Sequence, residues 1–202
     1  QTYSEMNGMW SEHLVLFAAL SDSQFKIASI LEIGTFKAET TLILSRIFPS
    51  ASIISIDLTN EELSRSRVYE YIFSDITKAV GDRNELINRN RSIEFKEINS
   101  LNLISWQEKF DLIWIDGDHL APVSTLDIYN SLRLLSDRGI ALCDDVYMNR
   151  NQADRYSDTS SFETLKVLEN AGLITVKLLR KRLARVSNLK GKTKYLGFFQ
   201  KK

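Results

Sequence analysis

Residues Ile27 to Leu58 read IASILEIGTFKAETTLILSRIFPSASIISIDL. Residues 27–33 are an apolar run ending at Gly34, Thr40 to Phe48 has the spacing of a helix stopped by Pro49, and Ser52 to Leu58 is a second β-branched run. Strand, tight loop, helix and strand in immediate succession make a βαβ unit with a parallel pair.

The alternation continues downstream. A polar helical stretch at 61–80 and an Asn/Arg-rich loop at 84–92 precede a third strand at Ile93 to Ile98, and Phe110 to Asp116 (FDLIWID) is a fourth. Residues 123–135 read as a helix, Asp137-Arg138-Gly139 as a turn, and Ile140 to Cys143 as a fifth strand ending at Asp144 and Asp145. A helix at 160–171 comes before Gly172, and two strands at 174–180 and 194–200 follow. Upstream, Trp10, Leu14, Phe17 and Leu20 share one helix face, which predicts a helical cover at about 1–26 over one end of the sheet. The expectation is one domain over 1–202: an α/β, Rossmann-like, doubly wound and mostly parallel seven-stranded sheet with an antiparallel C-terminal hairpin.

The composition of the 202 residues, 44% hydrophobic and 26% charged, is that of a globular protein and excludes a disordered chain. No apolar run nears the roughly 18 residues that span a bilayer, so no membrane partner is expected. Cys143 is the single cysteine, which rules out an internal disulfide and fits a reducing compartment; cytoplasm is the expected location. Net charge is zero but unevenly spread, for every acidic residue lies at or before Glu169. Lys177, Arg180, Lys181, Arg182, Arg185, Lys190, Lys192, Lys194, Lys201 and Lys202 follow it. A solvated sheet edge kept soluble by lysine and arginine explains this strip ahead of a nucleic-acid surface, since no aromatic-interleaved RNA motif accompanies it.

Ligands of open α/β sheets bind beyond the carboxyl ends of the strands, where the order reverses. Strand one ends in Glu32-Ile33-Gly34-Thr35-Phe36-Lys37-Ala38, which is not the dinucleotide pattern GxGxxG, because Glu32 holds the first glycine position. A nicotinamide oxidoreductase is therefore disfavoured. Strand two ends at Asp57-Leu58, an acidic residue about 20 positions on and suited to a ribose diol. Strand three ends at Asn99-Ser100, whose side chains suit an adenine edge. Strands four and five end in Asp116-Gly117-Asp118-His119 and in Asp144-Asp145, a carboxylate cluster that needs protons or a cation.

The first of these segments resembles motif I of the class I S-adenosylmethionine-dependent methyltransferases, E-x-G-x-x-x-G, with Ala38 in place of the last glycine. FDLIWIDGDH (110–119) followed by SDRGIALCDDV (136–146) resembles the metal-dependent O-methyltransferases, both the catechol type and the small-molecule and sugar type grouped with cephalosporin-hydroxylase-like proteins. The resemblance implies S-adenosylmethionine held by Glu32, Gly34, Thr35, Phe36, Ala38, Asp57, Leu58, Asn99, Ser100 and Asp116. It also implies a divalent metal, Mg²⁺ or another hard cation, on Asp116, Asp144 and Asp145. His119 stands where the catechol enzymes place a lysine base, and an imidazole titrates in the right range to serve as the catalytic base.

The implied activity is O-methylation of a small-molecule or sugar hydroxyl. A nucleic-acid methyltransferase and a non-catalytic cofactor-binding module stay open as alternatives, the second because of Ala38. With Pro49 and Pro122 as the only prolines, no N-P-P-Y-type motif exists, and Cys143 lacks a Pro-Cys setting. Tyr147, Met148, Arg150 and Tyr156 are candidates for the acceptor pocket, and a homodimer stays open.

Overall fold

The computed structural model describes residues 11–65, 76–153, 156–181 and 192–202. In chain order the elements are α1 (Ser11–Ser21), β1 (Ser29–Ile33), α2 (Glu39–Ile47), β2 (Ser52–Asp57), α3 (Asn60–Arg65), α4 (Ile76–Asn88), β3 (Ile93–Glu97), a 3-10 helix (Ser100–Ser105), β4 (Phe110–Ile115), α5 (Val123–Leu134), β5 (Leu135–Val146), α6 (Ser160–Asn170), β6 (Ile174–Arg180) and β7 (Tyr195–Lys201).

Among the described residues the strands form one seven-stranded sheet in the order β3-β2-β1-β4-β5-β7-β6. β1 pairs in parallel with both β2 and β4, so the order reverses between β1 and β4. β7 runs antiparallel to β5 on one side and to β6 on the other. The doubly wound sheet and its antiparallel C-terminal pair are as the sequence predicts.

Alternation of side chains across the pleat builds a core on each face. Ile113 and Ile115 point to one side with Leu103, Ile128, Leu134, Leu165 and Leu168; Leu112 and Trp114 point to the other with Phe17, Leu20, Leu44 and Ile87. α1, α2 and α4 therefore cover one face, and the 3-10 helix, α5 and α6 cover the other. Burial on both faces is why the central strands read as continuous apolar runs rather than alternating ones.

Three local expectations change. The loop predicted at 84–92 is helix over 84–88, because Arg83 and Ile87, one turn apart on α4, are both buried against the sheet while Glu85 pairs with Arg89 on the exposed side. Asp137-Arg138-Gly139 is not a turn but part of β5. A register shift lies between Phe110 and Leu112, and an added Cβ at Gly139 would sit 2.8 Å from the Phe110 carbonyl oxygen; glycine lets the strand pass there. The buried face of α1 is His13, Phe17 and Leu20, whereas Leu14 is only half-buried and Trp10 lies outside the described residues.

Candidate active site

The loop after β1 is built by backbone close approach. Gly34 and Thr35 both donate their N–H to the Ile56 carbonyl, at 2.9 and 3.2 Å, and Asp116 N–H donates to the Ile33 carbonyl at 2.8 Å. The ends of β1, β2 and β4 are thereby tied together. Gly34 has φ 94°, and a Cβ there would lie 2.2 Å from the Asp116 carbonyl oxygen. Phe36 (φ 48°) and Ala38 (φ 62°) are also left-handed, a conformation that costs an L-residue roughly 1–2 kcal/mol. That cost is the physical reason for the glycine usual in the resembling motif. Ala38 carries it as a fully buried residue, so the loop forms without that glycine. α2 then opens with no side-chain cap, leaving its first N–H groups to the loop and whatever the loop holds.

Glu32 lies under this loop, fully buried. Its Oε2 accepts hydrogen bonds from the Thr41 and Ser55 hydroxyls, while its Oε1 is buried with no hydrogen-bond partner. Burial pushes the carboxyl up to about 7, against the opposing effect of the two hydroxyl donors. Since 7 lies above the ordinary 4.5, the proton favours the folded state. The associated stability is complete below about pH 4.5 and disappears as pH rises through about 7, a change on the order of 3 kcal/mol. Urea unfolding at pH 5 and pH 8 should show Glu32→Gln losing less stability than wild type over that interval; equal slopes would remove Glu32 as the cause.

Asp57 anchors the loop from the other side. Its Oδ2 accepts the Phe36 N–H at 2.7 Å, its Oδ1 accepts the Leu58 N–H at 2.8 Å, and Arg83 Nη1 of α4 lies 3.4 Å from Oδ2. Arg83 is 1% exposed, stacks on Phe95 at 4.3 Å and reaches Glu97 at 3.8 Å. Thr35 turns inward, its hydroxyl 2.6 Å from that of Ser55. Asn99 caps the 3-10 helix by accepting the Leu101 N–H at 3.0 Å, and donates to Glu62 at 2.8 Å. Its amide is thus engaged by the fold, and Ser100 begins that short helix. Glu62 and Thr59 form a reciprocal capping box at 3.0 and 3.2 Å, which the Thr-x-x-Glu spacing signals.

At the end of β4, Asp116 and His119 face one another, His119 Nε2 lying 3.6 Å from Asp116 Oδ1 with both side chains partly exposed. The His119 loop is held by a bridge to Ser157, by Asp158 N–H on the His119 carbonyl (3.2 Å) and by Asp158 Oδ2 accepting the Ala121 N–H (3.0 Å). Loss of water, then Asp144 and Asp145, push the Asp116 carboxyl upward; its 31% side-chain exposure leaves it open to screening that moderates the push.

The acidic pair ending β5 is engaged by nitrogen groups of the protein itself. Asp144 Oδ1 lies 3.1 Å from His13 Nε2 and contacts Lys181 Nζ; Asp145 takes Lys181 at 2.8 Å and Lys194 at 2.6 Å. Burial alone would raise both carboxyls, but His13 and Lys181 hold Asp144 well below the carboxylate range, and Lys181 holds Asp145 at about 2. Among the described residues no group of three or more His, Cys, Asp or Glu side chains is placed to hold a metal ion. Of the predicted set Asp116, Asp144 and Asp145, the structure pairs the last two with lysine ammonium groups and sets Asp116 opposite His119.

Tyr147 is buried under the Lys194 ammonium, 5.3 Å from the ring centroid, and so does not line an open pocket. Met148 and Arg150 are exposed and Tyr156 is half-buried. Sequence reasoning missed His13, Arg83, Glu62, Lys181 and Lys194.

Several solved structures share this architecture. A methyltransferase of Podospora anserina, solved with SAH bound, superposes with a TM-score of 0.67 at 17% identity, covering 99% of this chain and 82% of its own. An O-methyltransferase of Bacillus cereus, in complex with SAH, gives 0.58 at 16% identity, covering 100% and 83%. The N-methyltransferase NodS of Bradyrhizobium japonicum gives 0.63 at 16% identity, covering 94% of each chain. No curated protein matches the sequence. The profile of a family described as a methyltransferase domain matches residues 31–146. That span is more than half of the chain and includes the ends of β1, β2, β4 and β5, and the protein belongs to this methyltransferase family.

Proposed function

We propose that the protein transfers a methyl group from S-adenosylmethionine to a hydroxyl of a small molecule, with His119 as the base. The SAH-bound relatives share the fold, and the residues present suit that cofactor. The orphaned Oε1 of Glu32, together with Asp116, offers acceptors for an amino-acid ammonium; the Asp57 carboxylate offers them to a ribose diol; and the uncapped start of α2 leaves N–H groups at the same loop. When bound, the cofactor supplies an electrophilic methyl group on sulfur.

NodS shows that the same fold serves an N-methyltransferase, so the fold does not choose the acceptor atom. The observation that carries the choice of oxygen is His119 beside Asp116, 3.6 Å away at the cleft. A neutral amine is nucleophilic as it stands, whereas a hydroxyl must lose its proton as the oxygen gains the methyl group. His119 takes that proton, and Asp116 stabilises the imidazolium that results. The buried thiol of Cys143, pushed upward by burial, is unsuited to nucleophilic work. A single inert thiol favours the reducing cytoplasm as the compartment.

Calorimetry with SAH and methyl-transfer assays against a panel of phenols and sugars test this. Wild type should bind SAH, and Asp57→Ala should weaken binding at least tenfold. His119→Ala should keep SAH affinity but lower turnover by about 10²–10⁴-fold on whichever hydroxyl the wild type uses. Absence of SAH binding would sink the cofactor reading, and full turnover by His119→Ala would sink the base.

A further inference from the structure

Three carboxylates at two strand ends demand positive charge, and the chain supplies it from its last two strands. Lys181, directly after β6, has a fully buried side chain that contacts Asp144 and lies 2.8 Å from Asp145 Oδ1. Lys194, directly before β7, places its ammonium 2.6 Å from Asp145 Oδ2. The two lysines face each other across the mouth of the β6–β7 pair, where Lys181 N–H donates to the Lys194 carbonyl at 2.9 Å. Asp145, in a left-handed conformation (φ 48°), thus has an ammonium on each carboxylate oxygen. Asp144 Oδ1, which Lys181 contacts, is also met at 3.1 Å by Nε2 of His13 on α1, whose ring packs edge-on against Trp114 at 5.0 Å.

A hard divalent cation needs carboxylate lone pairs at about 2.0–2.6 Å. Here buried ammonium groups already hold both Asp145 oxygens and Asp144 Oδ1, and a dication would meet two like charges at contact range. The pairing is fixed by the sheet, since each lysine adjoins a strand of the β5-β7-β6 array, and it leaves Asp116 to His119 at the cleft.

We infer that Lys181 and Lys194 fill the cation seat of the acidic trio, so that this methyltransferase holds its β4 and β5 ends without a divalent metal. Both lysines act through the aspartates and are positioning residues. The inference rests on the methyltransferase reading for its bearing on catalysis, but metal binding is measured on the protein alone, whether or not SAH binds.

Mn²⁺ titration of the full chain, followed by the electron paramagnetic resonance signal of the free ion, tests it. Wild type should leave the Mn²⁺ signal unchanged through the millimolar range, and the Lys181→Met/Lys194→Met variant should bind at least tenfold more tightly than wild type. Micromolar binding by wild type that Asp145→Asn weakens tenfold would overturn the inference. A wild-type methyl-transfer rate that collapses with EDTA and returns with Mg²⁺ would do the same. Should the double methionine variant fail to fold, the comparison of wild type with Asp145→Asn still decides.

Discussion

Gly34→Ala should destabilise the protein by about 3–5 kcal/mol and reduce SAH affinity at least tenfold. The added Cβ would fall 2.2 Å from the Asp116 carbonyl oxygen, 2.6 Å from its carbon and 2.9 Å from Gly117 Cα. All three are backbone atoms, so no side-chain rotation relieves the overlap, and φ of 94° adds strain of its own. Relief requires β1 and β4 to part at the point where the strand order reverses, which is where the proposed cofactor lies. Gly81, on an exposed face of α4 with nothing within 4 Å of an added Cβ, provides the control; Gly81→Ala should stabilise by about 0.5–1 kcal/mol. Chemical denaturation of the two variants measures both effects. A Gly34→Ala protein as stable as wild type would show that the strand ends yield freely.

Lys181→Ala should cost about 3–5 kcal/mol, the range for removing one partner of a buried ion pair. Its side chain is fully buried and serves both Asp144 and Asp145, so truncation leaves carboxylates in an environment that disfavours their charge. Lys166, which pairs with Glu169 at 46% side-chain exposure, should lose no more than about 1 kcal/mol on the same change. The two lysines carry equal charge, so the difference isolates burial. Combining Lys181→Met with Asp144→Asn should restore part of the loss, because removing both charges also removes the penalty of leaving one unpaired. Additive losses in the double variant would mean that Lys181 contributes through its packing rather than its charge.

What was legible in the sequence was local. Gly34, between an apolar strand and a helix, marks the tight loop, and Asp57 marks the next strand end; neither signal needs knowledge of distant neighbours. The rest depends on which strands become adjacent. His13 lies 131 residues from Asp144 in sequence, and in isolation it is only a polar flank to an apolar patch. Arg83 lies just before the Asn/Arg-rich stretch at 84–92 whose composition suggests a loop, yet its guanidinium is buried between Asp57 and Phe95. The basic strip after Glu169 was visible as a charge imbalance. Its role was not, since Lys181 and Lys194 become counterions only when β7 pairs with β5 and β6. Two members of a strip read as a solvated edge are therefore among the buried cations of the molecule, while Lys177 and Arg180 are exposed as expected.

The position of β7 sets an order of events in folding. β6 has no place beside β5, because β7 occupies it, and β7 lies later in the chain than both of its neighbours. Strands one to five can pair by sequential crossovers, but β6 reaches the sheet only through β7, after it or together with it, so docking of residues 195–201 on β5 closes the sheet. Such closure is a high-contact-order step, slow compared with formation of the helices. Until it occurs, Asp144 and Asp145 end an unpaired edge strand without the two ammonium groups that later cover them. Docking of β7 thus completes both the hydrogen-bonded edge of β5 and the charge balance of its functional end, and a chain caught short of it would expose the edge of β5 to other chains.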